Sequence, residues 1–98
     1  MTLNSKDIIK KLEDNKSTLR KYSVKKIGLF GSYAKKTAKK SSDMDFLVVF
    51  EHPTFDNYMD LKFFLEKTFR KNVDLVTEDS LKPAIEYVKE EAVYVKAI

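Results

Sequence analysis

Two aspartates separated by one residue, Asp43 and Asp45, are the side chains whose type and spacing most directly suggest chemistry. They stand at the start of an apolar run that ends at Phe50 and predicts a β-strand. Side chains two positions apart in a strand share a face, so the two carboxylates would project together while Met44 and Phe46 turn inward. Carboxylates this close repel each other unless a cation lies between them, and Mg²⁺ prefers such ligands. The pair predicts a magnesium site, although a solvated strand end has the same pattern.

A glycine and a serine, Gly31-Ser32, stand eleven residues before Asp43, counted from the serine. Residues 24–31 predict a strand that ends in a tight turn, after which Ser32 can cap a short helix that extends to Lys39. The free N–H groups and the positive end of the helix dipole at such a turn attract phosphate. An ordinary turn with a serine cap is the alternative for an isolated Gly-Ser pair. In this sequence a short basic segment joins the Gly-Ser pair to the two aspartates, and this combination favours a phosphate-binding turn.

Four lysines lie in that basic segment: Lys35, Lys36, Lys39 and Lys40. The whole chain has 19 basic and 15 acidic residues, a formal net charge of +4. Such an excess suits a polyanionic ligand, but it is also common on ordinary solvated surfaces. The lysines therefore form either a solvated helix face or a patch that steers phosphate, and their position beside the two motifs slightly favours the patch.

The remaining apolar residues recur at spacings that predict three longer helices. The first covers residues 5–22, with Ser5 as its cap. The second is marked by apolar side chains in residues 58–69, after a break at a His-Pro-Thr sequence. Ser80 opens the third, with Pro83 in its first turn.

Residues 72–76 predict a third strand, and residues 92–98 are a fourth candidate whose type the pattern leaves open. Helices and strands thus alternate with connections too short for a second domain. We therefore expect one domain, residues 1–98, with an α/β (α+β) fold in which helices pack mainly on one face of a small sheet. The hydrophobic content of 43% agrees with an ordered globular domain.

Several classes of function are disfavoured by what the sequence lacks. Without cysteine there are no disulfides, thiolate zinc sites or cysteine nucleophiles. No apolar run is long enough for a membrane span and no signal peptide is recognisable, so we expect a cytoplasmic protein. His52, directly before Pro53 and without a second histidine, is expected to be a loop residue. Phe63, Phe64 and Phe69 are expected in the core rather than in a base-stacking platform, so we expect no direct nucleic-acid binding.

Residues 31–45 contain Gly-Ser-Tyr-Ala-Lys-Lys and, six residues later, Ser-Asp-Met-Asp. This resembles the signature of the DNA polymerase β-like nucleotidyltransferase superfamily, typically Gly-Ser-x-Ala-Arg-Gly and then Ser-Asp-x-Asp before an apolar strand. The similarity is greatest to the minimal nucleotidyltransferases, the MntA-type antitoxins, and it extends over most of the chain. It implies the polymerase β-like core with a small mixed β-sheet.

The resemblance also implies roles for particular residues. The family has a third carboxylate on a later strand, which corresponds here to Asp74, although a solvated edge residue is the alternative. The implied catalytic residues and metal ligands are Asp43, Asp45 and Asp74, and the implied nucleotide-binding residues are Gly31, Ser32, Lys35 and Lys36. Two Mg²⁺ ions and ATP are the implied cofactors. Lys35-Lys36 replaces the usual Arg-Gly, which exchanges a planar bidentate donor for a flexible charge and removes a glycine.

The implied reaction transfers AMP from ATP to a hydroxyl group, with a tyrosine of a small helical HEPN-type toxin as the acceptor. A second possibility is a weakly active or inactive subunit that neutralises a partner by contact. Transfer to a small molecule such as an aminoglycoside is a third, but 98 residues leave no room for an acceptor-binding domain. Dimerisation or a partner could supply the missing wall. The base preference and the oligomeric state stay open.

Overall fold

The structure, a computed structural model, describes residues 3–81, 85–96 and 98. Four helices and four strands follow one another in the order α1, α2, β1, β2, α3, β3, α4, β4, with a 3₁₀ turn at Glu78–Leu81 after β3. The helices are α1 (Ser5–Asp14), α2 (Lys16–Lys21), α3 (Phe55–Phe69) and α4 (Ile85–Glu91). The strands are β1 (Val24–Phe30), β2 (Met44–Phe50), β3 (Val73–Thr77) and β4 (Val93–Tyr94). None of the described helices is both long and apolar enough to cross a membrane.

The four strands form one mixed sheet in the order β3-β2-β1-β4. β1 pairs antiparallel with β2 and with β4, whereas β2 and β3 run parallel. The register aligns Asp45 with Phe30 on one side and with Asp74 on the other. The mixed sheet predicted from the sequence is confirmed, and it brings the end of β1 and the starts of β2 and β3 to one edge.

The main hydrophobic core lies between one face of the sheet and helices α1 to α3. Alternate residues of β2, beginning with Met44 and Phe46, are fully buried on this face, as the sequence predicted. They contact apolar side chains of the helices, among them Ile8, Leu12, Leu19, Leu61 and Leu65. On the opposite face of β2, Leu47 is buried apart from this cluster, as is Val88 of α4. The two carboxylates of interest, Asp45 and Asp74, belong to that opposite face by strand alternation.

Two predicted helices differ here from those observed. The predicted helix 5–22 is interrupted at Asn15, whose side-chain amide donates to the carbonyl of Lys11 (2.8 Å). Asn4, not Ser5, caps α1, since its side chain accepts from the N–H of Asp7. The Ser80 prediction was also wrong, because this residue lies in the 3₁₀ turn and α4 begins later.

Two further differences concern the second half of the chain. Pro83 lies outside the described residues, and the C-terminal strand extends over only two residues. Phe63 was predicted to lie in the core, but its side chain is 58% exposed. Its neighbour Phe64 packs against the core and Phe69 is buried, because they occupy other positions around α3.

Two substitutions in α3 test this assignment of faces. Leu65→Ala should lower the free energy of unfolding by about 2 to 5 kcal/mol, because it removes a fully buried side chain and leaves a cavity. Phe63→Ala should change it by less than about 0.5 kcal/mol, because the side chain is mostly in solvent. Urea denaturation of both variants measures the difference. A loss at position 63 as large as that at position 65 would contradict the packing described.

Candidate active site

The candidate site lies at the edge of the sheet where β1 ends and β2 and β3 begin. Asp45 is the second residue of β2 and is partly buried, and its partner across the parallel pair is Asp74 of β3. Asp43 immediately precedes β2 and is exposed. The side chains of Asp45 and Asp74 share one face because they are aligned in register. Two aspartates distant in the sequence are therefore neighbours at this edge.

Gly31 contacts the Asp45 carboxylate in a way that only glycine permits. A Cβ atom at position 31 would lie 2.2 Å from Oδ2 of Asp45, far inside van der Waals contact. The glycine also has φ of +74°, a backbone conformation that residues with side chains rarely adopt. The absence of a side chain at Gly31 thus allows the turn after β1 to lie directly against this carboxylate.

Asp45 carries the largest electrostatic perturbation in the site. Burial and three neighbouring carboxylates raise its pKa from the ordinary value of 3.8 to about 6. In order of effect, these neighbours are Asp74, Asp43 and Glu91. Negative charge therefore accumulates in the neighbourhood of Asp45, an arrangement that suits a cation and is typical of functional sites.

The segment after Gly31 is a series of turns rather than the short helix predicted from Ser32 to Lys39. The N–H of Lys35 donates to the carbonyl of Gly31 (3.0 Å), and the N–H of Thr37 donates to that of Ser32 (2.9 Å). Lys36 has φ of +63°, which prevents the helix from continuing. The helix prediction was wrong because nothing in the local sequence indicates that Lys36 adopts a left-handed conformation.

Glu91, the last residue of α4, reaches into the same turn. Its Oε1 accepts a hydrogen bond from the N–H of Gly31 (2.8 Å), and its Oε2 lies 3.5 Å from Nζ of Lys35. Lys35 Nζ also donates to the hydroxyl of Tyr87 (3.1 Å). The hydrogen bond to Tyr87 and the charge of Glu91 raise the pKa of Lys35 above its ordinary value, so its ammonium group stays charged.

The structure thus brings together most, but not all, of the residues singled out from the sequence. Asp45, Asp74 and Gly31 are adjacent, with Ser32 following in the turn and Lys35 beside it through Glu91. Lys36 instead lines a separate cavity with Tyr33 and Ala38. Glu91 and Tyr87 were missed, because their contacts join positions more than 50 residues apart and leave no local pattern.

An open cleft of about 490 Å³ adjoins Asp43 on the β3 side of the site. It is lined by Lys40, Ser41, Ser42, Asp43, Glu66, Arg70, Lys71 and Asn72. Three of these side chains are basic, and Lys71 Nζ donates to the carbonyl of Lys40 (2.6 Å). The cleft lies at the same end of the sheet as the Gly31 turn, and of the three aspartates only Asp43 lines it.

The donor set suits the Mg²⁺ that the sequence resemblance implies. Among the described residues, no three acidic or histidine side chains already surround a single point closely enough to hold an ion. Mg²⁺ commonly takes only one or two carboxylates and completes its coordination with water and substrate phosphates. Burial and the neighbouring carboxylates both disfavour the charged form of Asp45, as its raised pKa reflects, and a bound cation would offset both effects. The aspartates therefore fit this metal.

Comparison with known proteins gives consistent results. A family model described as a nucleotidyltransferase domain matches residues 6–95. The protein adenylyltransferase MntA of Thermococcus cleftensis is 42% identical over 87 residues, which span 86% of this chain and 88% of that protein. A solved structure of a candidate minimal nucleotidyltransferase is 31% identical, with a TM-score of 0.80 over 93% of this chain and 95% of that one. A mutant of the toxin–antitoxin MntA-HpeT is 26% identical, with a TM-score of 0.65 over 99% of this chain and 75% of that one.

The raised pKa of Asp45 predicts a pH-dependent effect of Asp45→Asn on stability. Because the pKa is higher in the folded chain, this group stabilises the fold most below pH 4, and the contribution is lost as the pH rises through about 6. Solvent screens a partly exposed carboxylate, so we expect Asp45→Asn to stabilise the metal-free protein by about 1 kcal/mol at pH 7.5. The gain should disappear near pH 4.

Thermal unfolding in EDTA at both pH values measures this effect, with about 1 kcal/mol corresponding to a rise of roughly 4 to 8 °C in a domain of this size. Asp60→Asn is the matched control, because Asp60 is an exposed aspartate in α3 away from the sheet edge. An equal shift in both variants, or a gain that persists at pH 4, would show that the cost of a buried, crowded charge at Asp45 is not the cause.

Proposed function

Because this chain belongs to the nucleotidyltransferase domain family, we propose that it transfers AMP from ATP to a hydroxyl group of a partner protein. The observation that carries the proposal is the pairing of Asp45 with Asp74 directly beside the Gly31 turn. This arrangement combines acidic side chains that suit Mg²⁺ with a turn that phosphate can approach closely. It is the combination that adenylyl transfer from a nucleoside triphosphate requires.

The Gly31-Ser32 turn and Lys35 bind the β- and γ-phosphates in this proposal. Because Gly31 has no side chain of its own, phosphate can approach its backbone closely, at the N–H that donates to Glu91 in this structure. Lys35 supplies a positive charge beside the Gly31 turn, where both contact Glu91. These groups would hold the pyrophosphate part of ATP at the β1 side of the site, so that it leaves from that side.

Asp43, Asp45 and Asp74 would hold Mg²⁺, two ions by analogy with the family. When bound, the metal neutralises phosphate charge and lowers the pKa of the attacking hydroxyl. The aspartates would position the α-phosphate only by holding a cation that it shares, because carboxylates by themselves repel phosphate. Asp74, which is exposed on β3, also accepts the proton of the hydroxyl. The hydroxyl oxygen then bonds to the α-phosphorus while the bond from that phosphorus to pyrophosphate breaks.

The acceptor enters through the cleft on the β3 side. In-line displacement requires the attacking oxygen to approach opposite the leaving group, and the cleft beside Asp43 is separate from the Gly31 turn that would hold the leaving pyrophosphate. Lys40, Arg70 and Lys71 give it a basic lining. We therefore expect acidic residues beside the acceptor hydroxyl.

The acceptor is a tyrosine of a small helical HEPN-type toxin, and the chain acts as its antitoxin. Support for this role comes from the 42% identity to the protein adenylyltransferase MntA and from the structural likeness to the toxin–antitoxin MntA-HpeT. At 98 residues the chain offers an open cleft rather than an enclosed acceptor pocket. A protein acceptor brings its own surface to complete such a site.

Neutralisation by contact alone is the second candidate, favoured by one observation. Lys36 stands where the family usually has glycine, and its φ of +63° costs about 1 kcal/mol for a residue with a side chain. The preceding Lys35 replaces a bidentate arginine with a single charge. Loss of the bidentate donor would weaken phosphate binding, and the strained Lys36 lies in the turns that follow Gly31.

Labelled ATP separates the two candidates. The purified chain is incubated with Mg²⁺, the product of the neighbouring gene, and ATP labelled in either the α- or the γ-phosphate. We expect the partner to acquire only the α-label, and Asp43→Asn, Asp45→Asn or Asp74→Asn to reduce labelling by about 100-fold or more, as loss of metal ligands does. Asp60→Asn is the control that should retain full activity.

Three other results would each exclude part of this proposal. Transfer of the γ-label would indicate phosphoryl rather than adenylyl transfer. An unlabelled partner that still binds the chain and is neutralised by it, also with Asp45→Asn, would establish neutralisation by contact. Labelling that persists in EDTA would exclude the metal requirement.

The acceptor cleft makes a separate kinetic prediction. Arg70→Asn removes a positive charge, while asparagine tolerates the left-handed conformation of this residue (φ +55°). The KM for the protein acceptor should rise by roughly three- to tenfold, because one charge contact is lost, with the KM for ATP unchanged. Arg20→Asn, on α2, is the control. A rise in the KM for ATP instead would mean that the cleft binds the nucleotide.

A further inference from the structure

Glu91 occupies the turn that the proposed function assigns to phosphate. One carboxylate oxygen accepts from the N–H of Gly31 (2.8 Å), and the other lies 3.5 Å from Nζ of Lys35. The side chain is only 13% exposed, so this contact is partly shielded from solvent. An anionic group thus already contacts a backbone N–H and an ammonium group that are suited to binding phosphate.

A carboxylate and a phosphate compete directly for such donors. Both are anions with oxygen acceptors, and both form strong charge-assisted hydrogen bonds with backbone N–H and ammonium groups. The single N–H of Gly31 cannot donate well to two acceptors at once. Glu91 also adds negative charge next to Asp45, which further opposes the approach of a triphosphate.

We propose that Glu91 is a phosphate surrogate, which the nucleotide must displace from Gly31 and Lys35 in order to bind. The proposal rests on the proposed function, since it assumes that a nucleoside triphosphate uses this turn. Glu91 thereby lowers the affinity for nucleotide in the free protein. It also keeps Gly31 and Lys35 in contact with an anion while no nucleotide is bound.

Displacement of Glu91 couples the nucleotide to α4. The same helix carries Tyr87, whose hydroxyl accepts a hydrogen bond from Lys35 and whose side chain is 63% exposed. When Lys35 turns to phosphate, both of its contacts with α4 are released. Nucleotide binding therefore changes the end of α4 and the exposed surface around Tyr87.

Calorimetric titration with Mg²⁺ and the non-transferable analogue α,β-methylene-ATP tests the competition without requiring turnover. Glu91→Gln keeps the size of the side chain and removes its charge, so we expect the dissociation constant to fall by about tenfold. Glu90→Gln is the matched control, because it removes the same charge from an exposed neighbour in α4. Its effect should be less than about twofold, as for a screened surface charge.

The two glycines of the chain provide a direct readout of displacement. Labelling with ¹⁵N-glycine gives two amide resonances, Gly28 and Gly31, and ¹³C-carbonyl phenylalanine identifies Gly31 because only that glycine follows a phenylalanine. Glu91→Gln should shift the Gly31 resonance and leave Gly28, which lies within β1, nearly unchanged. The analogue should move the Gly31 resonance of both proteins towards a common position.

Each possible result decides the matter. Tighter binding by Glu91→Gln, with a common bound position of the Gly31 resonance, supports displacement. Equal affinity would overturn the proposal and leave the proposed function intact. Weaker binding would mean that Glu91 supports the turn rather than competing for it, which also overturns the proposal. No binding by the wild type, Glu91→Gln or Glu90→Gln would overturn the proposed function itself.

Discussion

The close contact between the backbone of Gly31 and the carboxylate of Asp45 is the constraint on which the site depends. Antiparallel pairing aligns Phe30 with Asp45, so the residue after Phe30 must turn over that side chain. A Cβ atom at this point would overlap with the carboxylate, which restricts position 31 to glycine. Parallel pairing on the other side then adds Asp74. Sheet register, rather than local loop conformation, therefore assembles the acidic groups and the turn.

This dependence on register explains why much of the fold and the site could be predicted from the sequence. The nearly continuous apolar run that ends at Phe50 identified β2, and the predicted strand agrees with the observed Met44–Phe50. The Gly-Ser turn and the Asp-x-Asp pair are local patterns that strand geometry converts into a shared location. The resemblance to nucleotidyltransferases added Asp74, which no spacing within the sequence could have linked to Asp45.

The errors arose where distant contacts or backbone conformation decide the structure. Helical spacing showed that α3 is amphipathic but not where its apolar face ends, so Phe63 was wrongly assigned to the core. The helix predicted after Ser32 is replaced by turns, since Lys36 adopts a left-handed conformation that lysine does not favour intrinsically. Glu91 resembles any other charge of α4 until the fold brings it to Gly31, 60 residues away in the sequence.

The acidic and the basic side chains of the site are held in place in different ways. The acidic groups of Asp45 and Asp74 are held by paired strands, and burial together with the neighbouring carboxylates raises the pKa of Asp45 in the folded chain. The basic group of Lys35 is instead at the end of a long exposed side chain, held by contacts with α4. The family usually has arginine where this chain has Lys35. This difference therefore changes how strongly phosphate is bound, while the carboxylates keep their positions. The pairing of the strands therefore determines where Asp45 and Asp74 lie. Nucleotide affinity depends instead on a few exposed side chains such as Lys35.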